Sequence, residues 1–280
     1  MVRIITDSAA DFEPRELKKL GITCIPLTVI FGDRDYQENV NLTKPQFFQL
    51  LSETEDVPKT SQASPQILMD LFEDARQAGE EAIYITLSSA LSGTYQTACM
   101  IREDIECDDC YVLDSRNATG GQRMLVEYAV RLRDEGKTAK EIIAAVEAIR
   151  DKVVLYACID TLEYLYKGGR ISQTAYKLGT LAQVKPIIRV SPEGSIEVPS
   201  KAMGMRKGID YLCKRFEQQK PNGDHPVYVM YTPAQTNGKL LLTKVRELGI
   251  AVSEEQLISV GAAIGSHIGP NGCGIVYIAE

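Results

Sequence analysis

The chain has 280 residues, enough for two domains, and its 44% hydrophobic and 25% charged residues are typical of a globular protein with a substantial core. A formal net charge of −7 and a pI near 5.1 exclude a surface that attracts nucleic acid or anionic lipid headgroups. Because no apolar run is long enough to span a membrane and the start of the chain lacks a signal-peptide pattern, we expect a cytoplasmic protein without stable membrane insertion.

The first half of the chain alternates short apolar runs with helical patterns. The apolar runs predict strands over residues 3–6, 22–31, 83–87 and 111–113. Proline starts, capping residues and glycine stops predict helices over residues 14–20, 44–51, 65–78, 95–105, 121–135 and 139–152. Strands that alternate with helices are typical of a parallel sheet covered by helices.

Polar residues follow three of these strands. They are Asp7-Ser8, Ser88 to Ser92, and Asp114-Ser115. Ligands of such folds bind at the carboxyl ends of the strands, so these residues predict one shared site there. The alternative is that polar residues simply end strands, as they do in many proteins. Asp7 and Asp114 themselves are expected to accept N–H or hydroxyl hydrogen bonds rather than to act as general bases.

The second half has a different pattern. A hairpin is predicted around Ser191–Gly194, between strands at 187–190 and 196–199. Further strands are predicted over 153–159, 227–231, 257–260 and 274–278, and helices over 172–181, 205–219 and 236–248. A hairpin combined with helical crossovers indicates a second α/β domain with a mixed sheet. We therefore predict domains at 1–155 and 156–280, tightly packed because no linker-like composition separates them.

Seven cysteines lack the dense spacing of a secreted disulfide scaffold, so we expect them to be reduced. Cys107 and Cys110 form a C-x-x-C pair that could indicate zinc or redox chemistry. Neither a second pair with ligand spacing nor a nearby histidine accompanies them, so a surface turn before a strand is the preferred interpretation, and no metal or cofactor is predicted.

The segment 83–95, IYITLSSALSGTY, has the strongest functional pattern. A buried strand is followed by a loop with hydroxyls at Ser88, Ser89, Ser92 and Thr94 around Gly93, and then by a helix. Hydroxyls and free backbone N–H groups at a helix N-terminus can hold an anion. Alternatively, Ser92 or Thr94 only caps the helix.

Two other segments carry candidate residues. Thr60 and Ser61 lie in a polar loop, where their hydroxyls could join a site or stabilise turns. His267 lies between Gly265 and Gly269, whose missing side chains let other groups approach closely. The sequence contains no P-loop, G-x-S-x-G, H-E-x-x-H or G-x-G-x-x-G motif. An enzyme alternative remains open: a small hydrolase or transferase with Ser88 or Ser92 as nucleophile and His267 as base.

Five segments together resemble the DegV family over the whole chain. They are IITDS at 4–8, KTSQ at 59–62, SSALSGTY at 88–95, KGGRIS at 167–172 and SHIGPNGCG at 266–274. The resemblance implies a two-domain α/β protein, without catalysis of its own, that binds a long-chain fatty acid such as palmitate or stearate in an apolar tunnel between or beside the domains.

The resemblance also implies roles for individual residues. Thr60 and Ser92 would hold the fatty-acid carboxylate, with His267 in the hydrogen-bond network around it. Ser61, Gly93 and Thr94 would complete the site through backbone N–H groups or hydroxyls.

A bacterial fatty acid kinase is the partner that the resemblance implies, because family members carry the lipid for such a kinase. Arg170 would contact the kinase. A second family arginine aligns with Met203, so either Arg206 takes over this contact or the protein couples to its kinase weakly or differently.

Overall fold

The computed structural model describes residues 2–177, 183–233 and 235–280. Two α/β domains, each built on its own sheet, pack against each other, and a small third sheet lies beside the first. The strands are β1 Val2–Asp7, β2 Ile22–Ile25, β3 Thr28–Phe31, β4 Arg34–Gln37, β5 Lys59–Ser61, β6 Glu81–Thr86, β7 Cys110–Asp114, β8 Val153–Cys158, β9 Val184–Val190, β10 Ile196–Met203, β11 Tyr228–Tyr231, β12 Leu257–Ser259 and β13 Cys273–Ile278. The helices are α1 Pro14–Leu20, α2 Lys44–Glu53, α3 Pro65–Ala78, α4 Thr94–Asp104, α5 Thr119–Asp134, α6 Ala139–Arg150, α7 Glu163–Lys167, α8 Gln173–Lys177, α9 Met205–Gln218, α10 Gln235–Glu247 and α11 Ala262–Ile268.

The N-terminal sheet is parallel, in the order β2-β1-β6-β7. Its central strand β6 is a run of buried apolar residues, as expected where helices cover both faces. Apolar clusters with α3 and α4 on one face, and with α5 and α6 on the other, form its core. The predicted parallel, helix-covered sheet is confirmed.

The C-terminal sheet is mixed, in the order β10-β9-β8-β13-β11-β12. β9 and β10 form the predicted antiparallel hairpin, whereas β11 and β12 are parallel. Helices α9 and α10 cover one face, and Met124 of α5 packs on the other. A side chain at Gly120 would place its Cβ 2.6 Å from Val276, so α5 approaches this sheet closely and the two domains are tightly packed, as predicted.

The pairing of β8 bears on where the domain boundary is placed. The predicted limit after residue 155 falls inside β8, and all six residues of β8 belong to the C-terminal sheet. We therefore propose a boundary just before Val153.

The segment 22–31, predicted as one strand, forms two. Pro26 has no N–H to donate to a ladder, and the N–H of Leu27 donates to Ser8 Oγ at 3.0 Å instead. The chain turns there, so β2 joins the parallel sheet and β3 joins an antiparallel sheet in the order β4-β3-β5. This small sheet was not predicted, and it positions Thr60, which pairs with Val29.

Helix α11 was also not predicted, because three glycines in nine residues lower its helix propensity. Tertiary contacts stabilise it instead. A Cβ at Gly265 would lie 2.6 Å from Phe47 of α2, so glycine is required for this close packing. The helix begins directly after Gly261 and ends before Gly269, which has a positive φ of 70°.

Two further predictions need comment. Cys107 and Cys110 lie in the expected turn before β7, but they are buried and form a disulfide, so the prediction of reduced cysteines is wrong for this pair. The turn places their Cα atoms 5.3 Å apart, within the usual range for a bridge. The helix predicted over 172–181 is observed as α8, and its predicted end falls on residues 178–182, outside the described residues.

Among the described residues, we find no helix that is both long and apolar enough to cross a bilayer.

Candidate functional site

A cavity of about 940 Å³, including its open mouth, lies between the two domains. Most of its wall is aliphatic and comes from both domains: Leu27, Leu87, Leu91, Leu155, Ala157, Ile159, Leu165, Ile188, Val190, Ile196, Met230, Val260, Ala263, Ile264 and Ile268. Its polar side chains fall into two groups. Thr119, Thr232 and Tyr231 form internal hydrogen bonds, with Asp11, Gly272 and Gln235, and the second group comprises Thr60, Ser61, Gln62, Ser92, Arg170 and His267.

Thr60 and His267 meet in this polar group although they are 207 residues apart. Thr60 Oγ1 lies 2.8 Å from His267 Nε2, a hydrogen-bond distance. β5 supplies Thr60 from the small sheet, and α11 supplies His267 from the C-terminal domain. Ser61 follows Thr60 at the exposed rim and also lines the cavity. Of the predicted carboxylate-binding residues, Thr60, Ser61, Ser92 and His267 all line this cavity.

Ser92 lies on the loop between β6 and α4. Its hydroxyl is 2.9 Å from Thr94 Oγ1 and accepts a hydrogen bond from the Thr94 N–H at 3.3 Å. Thr94 is buried, and neither Thr94 nor Gly93 lines the cavity. Gly93 instead lets Gln62 approach, because a Cβ there would lie 2.8 Å from Gln62 Oε1. Ser92 is therefore the hydroxyl of this loop that lines the cavity, and Thr94 supports it.

The His267 imidazole is neutral. Burial, and secondarily the charge of Arg170, lower the pKa of His267 to about 3. Its Nδ1 is buried and has no hydrogen-bond partner among the described residues. Gly168 covers this nitrogen so closely that a Cβ there would lie 2.3 Å from it. The ring can thus donate or accept a hydrogen bond at Nε2, but it brings no positive charge to the site.

Arg170 lies beside this group, on the turn after α7. Its Nε donates to the Leu91 carbonyl at 3.0 Å, and its Nη1 donates to the Gly168 carbonyl. The guanidinium is half-buried and lines the cavity, and burial lowers its pKa. Arg170 therefore ties the Ser92 loop to the segment over His267 instead of projecting into solvent.

The second predicted partner residue has a different position. Arg206 is exposed on the first turn of α9 and does not line the cavity. Met203, which replaces the family arginine, is 58% exposed at the end of β10.

The strand-end carboxylates accept hydrogen bonds, as predicted, but they do not line the cavity. Asp7 accepts from the Leu87 N–H at 2.8 Å and from Gln122 at 3.1 Å, and burial raises its pKa to about 6. Asp114 accepts from the N–H groups of Ser89 and Arg116. β1, β6 and β7 do end at one edge, but of the three predicted polar segments only Ser88 to Ser92 contributes to the cavity wall.

The comparisons with known proteins agree with this architecture. The family model described as "Uncharacterised protein, DegV family COG1307" matches residues 1–280. The chain belongs to the DegV family. A DegV domain-containing protein of Caldanaerobacter subterraneus subsp. tengcongensis is 32% identical over 286 residues, which cover 99% of this chain and 98% of that protein.

Solved DegV structures share the fold. One, described as showing fatty acid binding of a DegV family protein from Thermus thermophilus, has a TM-score of 0.89 and 28% identity and covers 100% of this chain and 99% of that one. A protein of Eubacterium ventriosum described as stearic acid-binding has a TM-score of 0.85 and 24% identity, covering 99% and 98% of the two chains.

Four of the five DegV segments meet at the cavity. KTSQ contributes Thr60, SSALSGTY contributes Ser92, KGGRIS contributes Arg170 and SHIGPNGCG contributes His267. The fifth, IITDS, ends in Asp7 and Ser8, which lie outside the cavity wall and stabilise the loops after β6 and β2.

The geometry does not support a serine nucleophile paired with His267. Ser88 is fully buried, and its hydroxyl donates to the Gly194 carbonyl at 2.9 Å, across the two domains. In the described part of the chain, the hydrogen bond of His267 goes to Thr60 and not to Ser88 or Ser92.

Sequence reasoning missed the residues that hold α11 in place. Glu38, only 1% exposed, accepts from the N–H groups of Ala262 and Ala263, and Asp11 accepts from the Gly261 N–H at 2.8 Å. Lys44 donates to the carbonyls of Asp11 and Ser259 at 2.9 and 3.0 Å. The raised pKa values of Asp11, about 6, and of Glu38, about 7, follow mainly from burial. Nothing in the local sequence around Glu38 predicts this contact, because its partner lies 224 residues away.

Proposed function

We propose that this DegV protein binds a long-chain fatty acid, such as palmitate or stearate, inside the interdomain cavity. The carboxylate would lie against Thr60, Ser61, Ser92 and His267, and the acyl chain would follow the aliphatic wall. The observation that carries this proposal is a largely apolar cavity whose wall also contains Ser92 and the hydrogen-bonded pair of Thr60 and His267. The described fatty acid binding of the Thermus thermophilus relative supports the choice of ligand.

The energetics favour an acyl chain in such a cavity. Burial contributes about 0.8 kcal/mol per methylene, so a chain of roughly 15 methylenes gains on the order of 12 kcal/mol. Lost translational and conformational freedom offsets a large part of that gain. The apolar wall therefore supplies most of the affinity. The polar side chains near His267 determine where the carboxylate end of the ligand lies.

The polar group is suited to a carboxylate that must remain reactive. Hydroxyls and a neutral imidazole donate hydrogen bonds that hold a carboxylate less tightly than a bidentate ion pair with arginine would. The Arg170 guanidinium already donates to two backbone carbonyls, so part of its hydrogen-bonding capacity is used. The electric field of its positive charge still reaches the site.

Extraction of the purified protein tests this function directly. Protein produced in a bacterium should release close to one fatty acid per chain on denaturation, measured by mass spectrometry. Ala157→Phe is the matched control, because it fills the aliphatic cavity from β8 and should reduce the bound lipid strongly. A folded wild-type protein without stoichiometric acyl species, even after incubation with fatty acid, would overturn the proposal.

We further propose that the bound acid is presented to a fatty acid kinase. A carboxylate oxygen would attack the γ-phosphorus of ATP, the bond to the β-phosphate oxygen would break, and ADP and an acyl phosphate would form. Two observations support this step: Ser61 and Gln62, next to Thr60, are exposed at the rim, and Arg206 is exposed at the start of α9.

Two arginine variants test the partner role with lipid affinity and coupled phosphorylation measured side by side. Arg206→Ala should slow acyl-phosphate formation without changing affinity, and Lys214→Ala, exposed further along α9, should change neither. Arg170→Ala should slow phosphorylation more and also weaken binding moderately, because Arg170 holds the loop that carries Ser92. Phosphorylation at wild-type rates in both arginine variants would exclude this docking face.

A further inference from the structure

A second, polar cavity of about 530 Å³ adjoins the apolar one. Among the residues that the structure describes, the two cavities share only Leu155 and Val190 in their walls. Tyr156 pairs with Arg189 across β8 and β9, so Leu155 lies opposite Val190 one step along the same ladder. Both side chains are buried in one apolar cluster with Met230. This pair therefore forms a thin partition between two cavities.

Along the cavity-lining stretch of β8 and the residue after it, Leu155 lies at the opposite end from Ile159, the residue from which the chain continues to Arg170. Alternate residues Leu155, Ala157 and Ile159 line the cavity, so it follows β8 from its first residues to beyond its last. Leu165 and Arg170 come next along the chain and bring the wall to His267. The stretch from Leu155 to Ile159 alone spans about 13 Å at roughly 3.3 Å per residue.

The polar cavity is a poor environment for hydrocarbon. Charged or amide side chains line it beyond the partition, including Asn117, Arg150, Lys152 and Gln219. Asn117 Oδ1 and Arg150 Nε are buried without a hydrogen-bond partner in the part of the chain that the structure describes. A methylene that entered this cavity would displace water from its charged and amide side chains, which costs free energy.

We infer that Leu155 and Val190 form the stop for the terminal methyl of the ligand and thereby set the longest acyl chain that binds well. This inference rests on the proposed function, because it requires a fatty acid with its carboxylate near His267. A chain that fits the distance from His267 to the partition gains apolar burial at every methylene, whereas a longer chain has to displace the partition.

A chain-length series tests the inference. Competition binding would compare the affinities of saturated fatty acids whose chains differ by about two methylenes. Each fatty acid would be delivered from a carrier protein, so that no lipid vesicles are present. Leu155→Ala removes the larger half of the partition. It should shift the chain length that binds best by about two methylenes and make that longer acid bind about fifteenfold more tightly than the best acid of the wild type, since each buried methylene contributes roughly fourfold.

Two control variants make the result specific. Ile188 lies on the same strand as Val190 and lines only the apolar cavity. Ile188→Ala should therefore lower the affinity for fatty acids of every length without changing the chain length that binds best. Val190→Leu should move the optimum to a shorter acid, which keeps the test valid if Leu155→Ala folds poorly. An unchanged optimum in both partition variants, each with a wild-type circular dichroism spectrum, would overturn the inference.

Photocrosslinking provides a second readout. A fatty acid with a diazirine at its terminal carbon should label β8 and β9 peptides that contain Leu155 or Val190. Labelling only around Thr60 and Ser92 would reverse the assumed ligand orientation and overturn the inference. If the wild-type protein binds no fatty acid at any length, the proposed function itself fails, which is a different outcome from an unmoved optimum.

Discussion

Two clusters of polar side chains meet at α11, and they differ in charge and in use. At the C-terminal end of the helix, His267 and Thr60 are neutral and face the cavity. At its N-terminal end, Asp11, Glu38 and Lys44 are buried and bond to the backbone of the segment entering the helix. The charged cluster satisfies backbone groups inside the protein, whereas the neutral cluster has bonding capacity left for a ligand. Burial and charge alone therefore do not identify a functional site; unused hydrogen-bonding capacity next to an apolar cavity is more informative.

The largest expected effect is on stability at the charged cluster. Glu38→Ala leaves the N–H groups of Ala262 and Ala263 buried without acceptors, at about 1–3 kcal/mol each. Urea unfolding should therefore show a loss of about 2–6 kcal/mol. Glu38→Gln is the matched control, because its side-chain carbonyl still accepts one N–H, and it should lose much less. Equal stability of Glu38→Ala and wild type would mean that α11 needs no acceptor there.

The pH dependence of stability should also identify this cluster. Burial raises the pKa of Glu38 from 4.5 to about 7, so folding favours the protonated form. Its stabilising contribution is fully present below pH 4.5 and is lost as the pH rises through 7. Relative to Glu38→Gln, the wild-type unfolding free energy should fall by about 3 kcal/mol across this window. Parallel pH profiles of the two proteins would contradict the raised pKa.

At the neutral cluster the effect should appear in binding and not in stability. Ser92→Ala and Thr60→Ala each remove a hydrogen bond to a charged carboxylate, about 1.5–3 kcal/mol, or roughly tenfold to a hundredfold in affinity. Ser88→Ala is the matched control: its hydroxyl bonds Gly194 across the domains, so it should lower stability and leave affinity unchanged. If affinity is unchanged in both Ser92→Ala and Thr60→Ala, the carboxylate does not bind here. A hydroxylamine-sensitive ester on Ser92 would favour the enzyme alternative.

The smallest expected effect is an absence of pH dependence in binding. Because the pKa of His267 is lowered to about 3, its ring stays neutral from about pH 8 to about pH 6, and fatty-acid affinity should not rise over that range. His267→Gln, which keeps a neutral hydrogen-bonding group, should retain more affinity than His267→Leu. A tenfold rise in affinity toward pH 6 would mean that an imidazolium binds the carboxylate.

The sequence predicted the elements whose signals are local. The buried run of β6, the hairpin at Ser191–Gly194 and the helix predicted from residue 139 are all present. Elements fixed by distant contacts were missed. The split at Pro26 depends on the acceptor Ser8, and α11 depends on Glu38 and on Phe47 packing against Gly265.

The candidate site divides in the same way. Thr60, Ser92 and His267 could be grouped from the sequence only through the resemblance to DegV proteins, since no spacing relates residues so far apart. Their roles toward a ligand stay predictions, although the structure brings all three to one cavity. Arg170 was expected to face a partner, but its backbone acceptors, Leu91 and Gly168, could not be predicted from its own turn.

The position of β13 has a consequence for when the protein can acquire its ligand. β13 comes last in chain order, yet it lies between β8 and β11 in the middle of the C-terminal sheet, and Cys273 and Gly274 at its start line the cavity. During synthesis, β8 to β10 leave the ribosome without the strand that joins them to β11 and β12. The C-terminal sheet, and with it this part of the cavity wall, is therefore complete only once residue 278 has been synthesised, so a ligand that needs the closed cavity cannot be held by a shorter nascent chain.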